Sequence, residues 1–160
     1  MEKYKKGELI AGDRYTRIFT CTYRPTHKRL AMKAISKTRP DINYDEMKRE
    51  ARLMEELTHP NIVRRIDSFE DEETFYIIME YIDGGDLRQL LYGGKLDESA
   101  VVRMTEQILT VLCYLNEHRI VHGHIKPCNI FLREDESVFL GDFKYANPLG
   151  DNERVPFSGG

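Results

Sequence analysis

The side chains best equipped for chemistry gather in His122-Gly123-His124-Ile125-Lys126-Pro127-Cys128-Asn129. Two imidazoles, an amine and a carboxamide stand close together there, and a carboxylate follows in Gly141-Asp142-Phe143-Lys144. A neutral imidazole can accept a proton, so His124 is a candidate base if a hydroxyl comes within reach. Upstream, Lys33 and Glu50 offer an amine and an acid, for which a purely structural ion pair is one of two readings. Cys21, Cys113 and Cys128 are odd in number and show no C-x-x-C spacing, which argues against zinc or dithiol chemistry. Buried or incidental thiols are expected.

Alternating and periodic segments must carry these groups. From about Leu9 to Lys37 the chain alternates apolar and polar residues, which predicts antiparallel strands with a turn at Arg24 to Arg29. Asn43 and Glu46 suit a capping box, and Met47, Ala51, Met54 and Leu57 follow at helical spacing, predicting a helix over Tyr44 to Leu57. Ile62 to Phe69 and Thr74 to Tyr81 read as strands around an acidic turn. Gly84-Gly85 breaks the pattern before a short helix over Asp86 to Leu91. A long helix after Asp97 runs to about Asn116, with Val101, Met104, Ile108, Val111, Leu112 and Leu115 on one apolar face that needs a cover. Short strands at Ile130 to Leu132 and Val138 to Leu140 complete the set.

The chain has 160 residues and a formal charge of -3, with both signs interleaved, so no nucleic-acid footprint emerges. No run approaches the roughly 20 apolar residues that span a bilayer, and the first ten residues lack a signal-peptide core. A cytoplasmic protein with no membrane association is expected.

Strands, one helix, two strands, a Gly-Gly hinge and then helices is the element order of a protein kinase, and several motifs fall on it in register. Leu30-Ala31-Met32-Lys33 resembles the V-A-I-K strand, with Glu50 as the matching helix acid nine residues before His59-Pro60-Asn61-Ile62-Val63. Met79-Glu80-Tyr81 resembles the end of the hinge strand. The stretch from His122 to Asn129 resembles the H-R-D-x-K-x-x-N catalytic loop, and Gly141-Asp142-Phe143-Lys144 the D-F-G stretch. Gly84-Gly85-Asp86-Leu87 and Lys126-Pro127-Cys128-Asn129-Ile130-Phe131-Leu132 are most similar to NIMA-related serine/threonine kinases. The resemblance implies an α+β, protein-kinase-like fold: residues 1–82 form an antiparallel five-stranded small lobe with one long helix, and residues 83–160 an incomplete, mainly helical large lobe. It implies a nucleotide site of Lys33, Glu50, Ala31, Ile18, Glu80, Tyr81, Ile82, Asp86 and Phe131. Magnesium would fall to Asn129 and Asp142, and His124 and Lys126 would occupy the catalytic positions.

Measured against that pattern, the chain departs at several places. The glycine loop aligns with Ala11-Gly12-Asp13-Arg14-Tyr15-Thr16-Arg17-Ile18, which lacks the three glycines and sets Asp13 where a triphosphate would lie. His124 replaces the catalytic Asp, Gly123 replaces its Arg, and Lys144 replaces the glycine of D-F-G, so that turn is expected to set differently. Arg65 falls in the apolar column otherwise formed by His122, Phe143 and Met54, where its charge must snorkel or find a partner. The chain stops before an A-P-E motif, within what the resemblance makes the activation segment. The expectation is a catalytically impaired NIMA-related pseudokinase with weak or absent ATP and Mg2+ binding. It would act through a protein partner or self-association at its exposed large-lobe surface, and the family ties it to the cytoskeleton. Two alternatives stay open: a degenerate but active serine/threonine kinase, and the N-terminal fragment of a longer kinase.

Overall fold

The structure is a computed structural model that describes residues 2–38, 40, 44–94 and 96–150. The described residues divide into two compact units, one within residues 2–58 and 63–81, the other within residues 59–62 and 82–150.

The first unit is a five-stranded antiparallel sheet in the order β1-β2-β3-β5-β4, formed by β1 (Tyr4–Gly12), β2 (Thr16–Tyr23), β3 (Lys28–Ser36), β4 (Arg65–Glu70) and β5 (Thr74–Glu80), with α1 (Tyr44–Glu56) against it. Alternation along β3 and β5 sorts the core into two layers. Leu30, Met32 and Ala34 join Tyr76 and Ile78 in one layer with Tyr4, Phe19 and Cys21. Ile35 joins Phe75 and Ile77 in the other, where Met47 and Ala51 of α1 cover them. Met32, Ile77 and Ile78 are fully enclosed, each contributing roughly 1.5–3 kcal/mol of burial free energy. The same parity aims Lys33 at α1.

β1 starts five residues before the alternation announces it. Of its nine residues only Tyr4 is buried, so solvent lies on both faces and no apolar period marks it. β4 starts at Arg65 rather than Ile62, because Ile62 leaves the sheet to bridge Leu140 in the second unit. Asn43, the expected cap of α1, lies outside the described residues.

The second unit holds α2 (Leu87–Tyr92), α3 (Glu98–Glu117), and the pairs β6 (Ile120–Val121) with β9 (Asn147–Pro148) and β7 (Ile130–Leu132) with β8 (Val138–Leu140). Asp97 caps α3 by accepting from the Ala100 amide at 2.7 Å. The expected apolar face of α3 splits in two. Val111 and Leu115 are buried, while Val101, Ile108, Leu109 and Leu112 line an open groove with Leu87 and Leu91, at whose base Met104 is nearly enclosed. β6 and β9, at two residues each, are too short for periodicity to reveal. No helix among the described residues is long and apolar enough to cross a membrane.

Candidate functional site

In the first unit, Lys33 Nζ and Glu50 Oε1 lie 2.6 Å apart, and both side chains are almost wholly enclosed. The strand parity of β3 and the buried face of α1, shared by Met47, Glu50, Ala51 and Met54, bring them together. The sheet register sets Ile18 opposite Lys33, and Ala31 opposite Met79, so these side chains share Lys33's face. Glu80 ends β5 beside Leu30, and Tyr81 follows with the Arg29 guanidinium 4.2 Å from its ring centre.

The stretch aligned with the glycine loop is a tight turn closed by its own acid. Asp13 Oδ1 accepts from the amides of Tyr15 and Thr16, both at 2.7 Å, and the Asp13 amide donates to the Thr16 carbonyl. Amides that could face an anion are thereby taken by a carboxylate of the chain itself. Arg14 and Arg17 lie over the rings of Tyr15 and Phe19.

Arg65 stands on β4 with its guanidinium 3.1 Å from Glu55 of α1, and its Nη2 donates to Ser68 Oγ at 2.7 Å. The charge at this column position is therefore met by pairing. Its Nε is buried without a hydrogen-bond partner.

In the second unit, the loop between β6 and β7 gathers His122, His124 and Asn129. His122 is buried: its Nε2–H donates to the Gly141 carbonyl at 3.0 Å, and its Nδ1 accepts from the His124 amide at 3.2 Å. That pair of bonds selects the Nε2–H tautomer. Burial pushes the His122 imidazole below its ordinary value, against the Gly141 bond and the nearby Asp142 charge, both of which pull upward. The Phe143 ring packs edge-on to His122 at 4.7 Å.

His124 turns its Nδ1 toward the two expected metal ligands. Asp142 Oδ2 is 3.7 Å away and Asn129 Nδ2 is 3.4 Å away. Asn129 Nδ2 also donates to the His124 carbonyl at 2.7 Å, which fixes the amide. The His124 ring meets Tyr145 edge-on at 4.8 Å. Lys126 is half-buried and precedes the 3-10 turn Pro127–Asn129.

Asp142 takes a left-handed backbone with φ 60°, whereas Lys144 sits in the ordinary 3-10 turn Phe143–Tyr145. A positive φ is not needed where the family has glycine, so Lys144 fits without strain. Its ammonium lies 3.2 Å from the Tyr145 hydroxyl. Gly123 does use a left-handed backbone, φ +74°, and a Cβ there would meet the Tyr145 carbonyl oxygen at 2.8 Å.

Asp86, expected at a ribose, is the N-cap of α2. It accepts from the Gln89 amide at 2.9 Å and lies 3.2 Å from Arg88 Nη2, so two bonds already engage its carboxylate. Phe131 is half-buried and bridges Asp86, and Ile82 is buried.

A positioning residue, Gln107, and the turn-closing role of Asp13 escape a motif reading. Gln107 Oε1 accepts from Asn61 Nδ2 at 2.9 Å and from the Val138 amide at 3.0 Å, tying the 59–62 loop to α3 and β8. Its only sequence signal is a polar residue between apolar helix positions. Asp13 could have been read from an Asx residue placed between two strands.

Comparison with known proteins agrees with this arrangement. The protein kinase domain family matches residues 4–158. Serine/threonine-protein kinase 36 of Pongo abelii is 34% identical over 156 residues, covering 97% of the chain and 12% of that protein. Serine/threonine-protein kinase RAD53 of Saccharomyces cerevisiae is 33% identical over 147 residues, covering 90% of the chain and 18% of that protein. Myosin light chain kinase 3 of Rattus norvegicus is 38% identical over 152 residues, covering 92% of the chain and 19% of that protein. The chain thus spans less than a fifth of each of these three relatives. With a Lys33–Glu50 pair buried in a five-stranded sheet unit and a His122-to-Asn129 loop set beside Asp142, this chain belongs to the protein kinase domain family.

Proposed function

We propose that this chain is a pseudokinase of the NIMA-related branch, keeping the kinase framework but not transferring phosphate, and working through protein contacts. The observation that carries the reading is His124. Where the family places a carboxylate to orient the substrate hydroxyl and take its proton, an imidazole stands with its Nδ1 facing Asn129 and Asp142. A ring there supplies no negative charge to the nucleophile, and its reach differs from that of an aspartate.

ATP and magnesium are the family's cofactors, and the residues that would hold them are present in part. Lys33 is poised by Glu50 for a phosphate, and Asn129 and Asp142 supply oxygens for a metal. When bound, magnesium would neutralise charge on the phosphates. Against binding, Asp13 places a carboxylate on the loop and consumes two of its amides. Weak nucleotide binding without turnover is the balance of these features. The groove beside α3, with Leu91, Val101 and Leu109 about half exposed, is the surface we assign to a protein partner. The NIMA-related assignment rests on the wording of the Lys126 to Leu132 and Gly84 to Leu87 motifs.

The test is phosphate transfer from radiolabelled ATP with magnesium, run beside a His124→Asp variant. No transfer by the unaltered chain is expected. Transfer by the unaltered chain that disappears in Lys33→Ala would instead establish a degenerate active kinase.

A further inference from the structure

We propose that the first unit carries a pocket for the phosphotyrosine side chain of a peptide, at the end of the sheet where β1 and β3 begin. A cavity of about 400 Å³ lies there, and its lining includes Lys3, Tyr4, Tyr23, Lys28, Leu30 and Arg64. That volume is at the small end for a ligand pocket and suits a single side chain. The sheet register assembles the lining from residues far apart in sequence. Tyr4 of β1 lies opposite Tyr23 of β2, and Tyr23 opposite Lys28 of β3. The Arg24 amide donates to the Lys3 carbonyl at 2.9 Å, which ties Lys3 to the same end, and Arg64 joins from just before β4. Leu30 belongs to the core layer opposite the one that α1 covers, so the cavity and the Lys33–Glu50 pair use different faces of the sheet.

The lining combines a charged rim with an apolar floor. Lys3, Lys28 and Arg64 are exposed, and among the described residues no side chain pairs with any of the three cations. Leu30 is buried, and the Tyr4 and Tyr23 ring centres stand 5.4 Å apart. The acid of the lining, Asp67, is already engaged: its Oδ2 accepts from the Tyr4 hydroxyl and its Oδ1 from the Ser68 amide, both at 2.9 Å. Three cations thus stand against one hydrogen-bonded carboxylate. A neighbouring hollow of about 360 Å³ shares Lys3, Tyr4 and Asp67 and adds Glu2 and Phe69, which gives the next residue of a peptide a place to lie.

Ligand chemistry follows from these parts. A phosphate monoester carries close to two negative charges and takes charge-assisted hydrogen bonds, the forked pair from a guanidinium above all. An aromatic body behind that head packs on the tyrosine rings and on Leu30. Phosphotyrosine has both parts, whereas phosphoserine has the charge without the ring. A lipid surface is a poorer match, because the apolar groups here lie at the bottom of a hollow instead of protruding. Nucleic acid would need a stripe of cations, which a chain of formal charge -3 with interleaved signs does not offer.

The experiment is fluorescence anisotropy of the purified chain, free of nucleotide, with a labelled alanine-rich pentapeptide that holds phosphotyrosine at its centre. The tyrosine and phosphoserine forms of that peptide, inorganic phosphate as competitor and phosphatidylserine vesicles are the comparison arms. The phosphotyrosine form is expected to bind about tenfold or more tightly than either other peptide, and inorganic phosphate to compete about tenfold or more weakly. Lys28→Ala and Arg64→Ala should each weaken binding about tenfold, the loss of one charge-assisted bond. Tyr23→Ala should narrow the preference for phosphotyrosine over phosphoserine. Arg49→Ala, which removes an exposed cation of α1, should leave binding unchanged. Far-ultraviolet circular dichroism checks that each variant folds. Equal binding of the tyrosine or phosphoserine form, inorganic phosphate competing as well as the peptide, undiminished binding in both cation variants, an equal loss in Arg49→Ala, or binding to the vesicles alone would each overturn the proposal. Because nucleotide is absent, none of these outcomes depends on whether the chain transfers phosphate.

Discussion

Replacing Glu50 by leucine removes the partner 2.6 Å from Lys33 in a place where both side chains are almost fully buried. Breaking a buried pair from one side costs about 3–5 kcal/mol. A ceiling follows from the amine: whatever else Lys33 touches, the loss cannot exceed that of shedding its proton. From a reference value of about 10.4 to pH 7 this is about 4.6 kcal/mol at about 1.36 kcal/mol per pH unit. For a chain of 160 residues the melting temperature should fall by about 6–18 °C. The double variant Lys33→Met with Glu50→Leu leaves no charge behind and should recover most of the loss, giving a coupling energy of about 3 kcal/mol. Urea unfolding at pH 7 of the unaltered chain, the single variants Glu50→Leu and Lys33→Met, and the double variant measures each quantity. A Glu50→Leu variant within about 1 kcal/mol of the parent, or a double variant as unstable as the single, would refute the reasoning.

Arg65→Leu should stabilise by about 1 kcal/mol in the same unfolding assay, because it removes a buried unpartnered Nε at the expense of a bond to Ser68 and a pair with Glu55 whose carboxylate is exposed. Gly123→Ala should destabilise by about 1–3 kcal/mol, since φ is +74° and the new Cβ would press on the Tyr145 carbonyl. Asp13→Asn keeps the turn's acceptor but not its charge, and Asp13→Gly frees the Tyr15 and Thr16 amides. If the carboxylate opposes ATP, both should raise the thermal shift on adding ATP, with the glycine variant ahead. Stability should also fall in two acid windows, followed by urea unfolding from pH 8 to 3. His122 is held neutral by burial, so its contribution is whole above about 6.5 and fades as pH drops below that. Glu70, drawn down to about 2 by hydrogen bonds from Tyr44 and Lys37, contributes above its ordinary 4.5 and is lost below it. Tyr44→Phe should blunt the lower window alone.

Period and wording made the framework legible. The alternation Leu30, Met32, Ala34 against Lys33 and Ile35 already aims Lys33 at the face that α1 covers, and the spacing of Met47, Ala51 and Met54 places Glu50 on the helix's buried side. β1 stayed hidden because it is exposed on both faces, and the single face assigned to α3 came apart because Val111 and Leu115 are enclosed while Val101 and Ile108 line an open groove.

By itself, then, the sequence determined the family, the order of elements and the identity of the substituted residues, since these depend on local period and motif spacing. Only the tertiary structure decided what the substitutions do. Side-chain partners that lie far apart in sequence set those outcomes. Arg65 is met by Glu55 across the gap from β4 to α1. Lys144 needs no glycine conformation, because Asp142 carries the left-handed backbone. His124 gains its meaning from Asp142, eighteen positions away in the chain but 3.7 Å away in space.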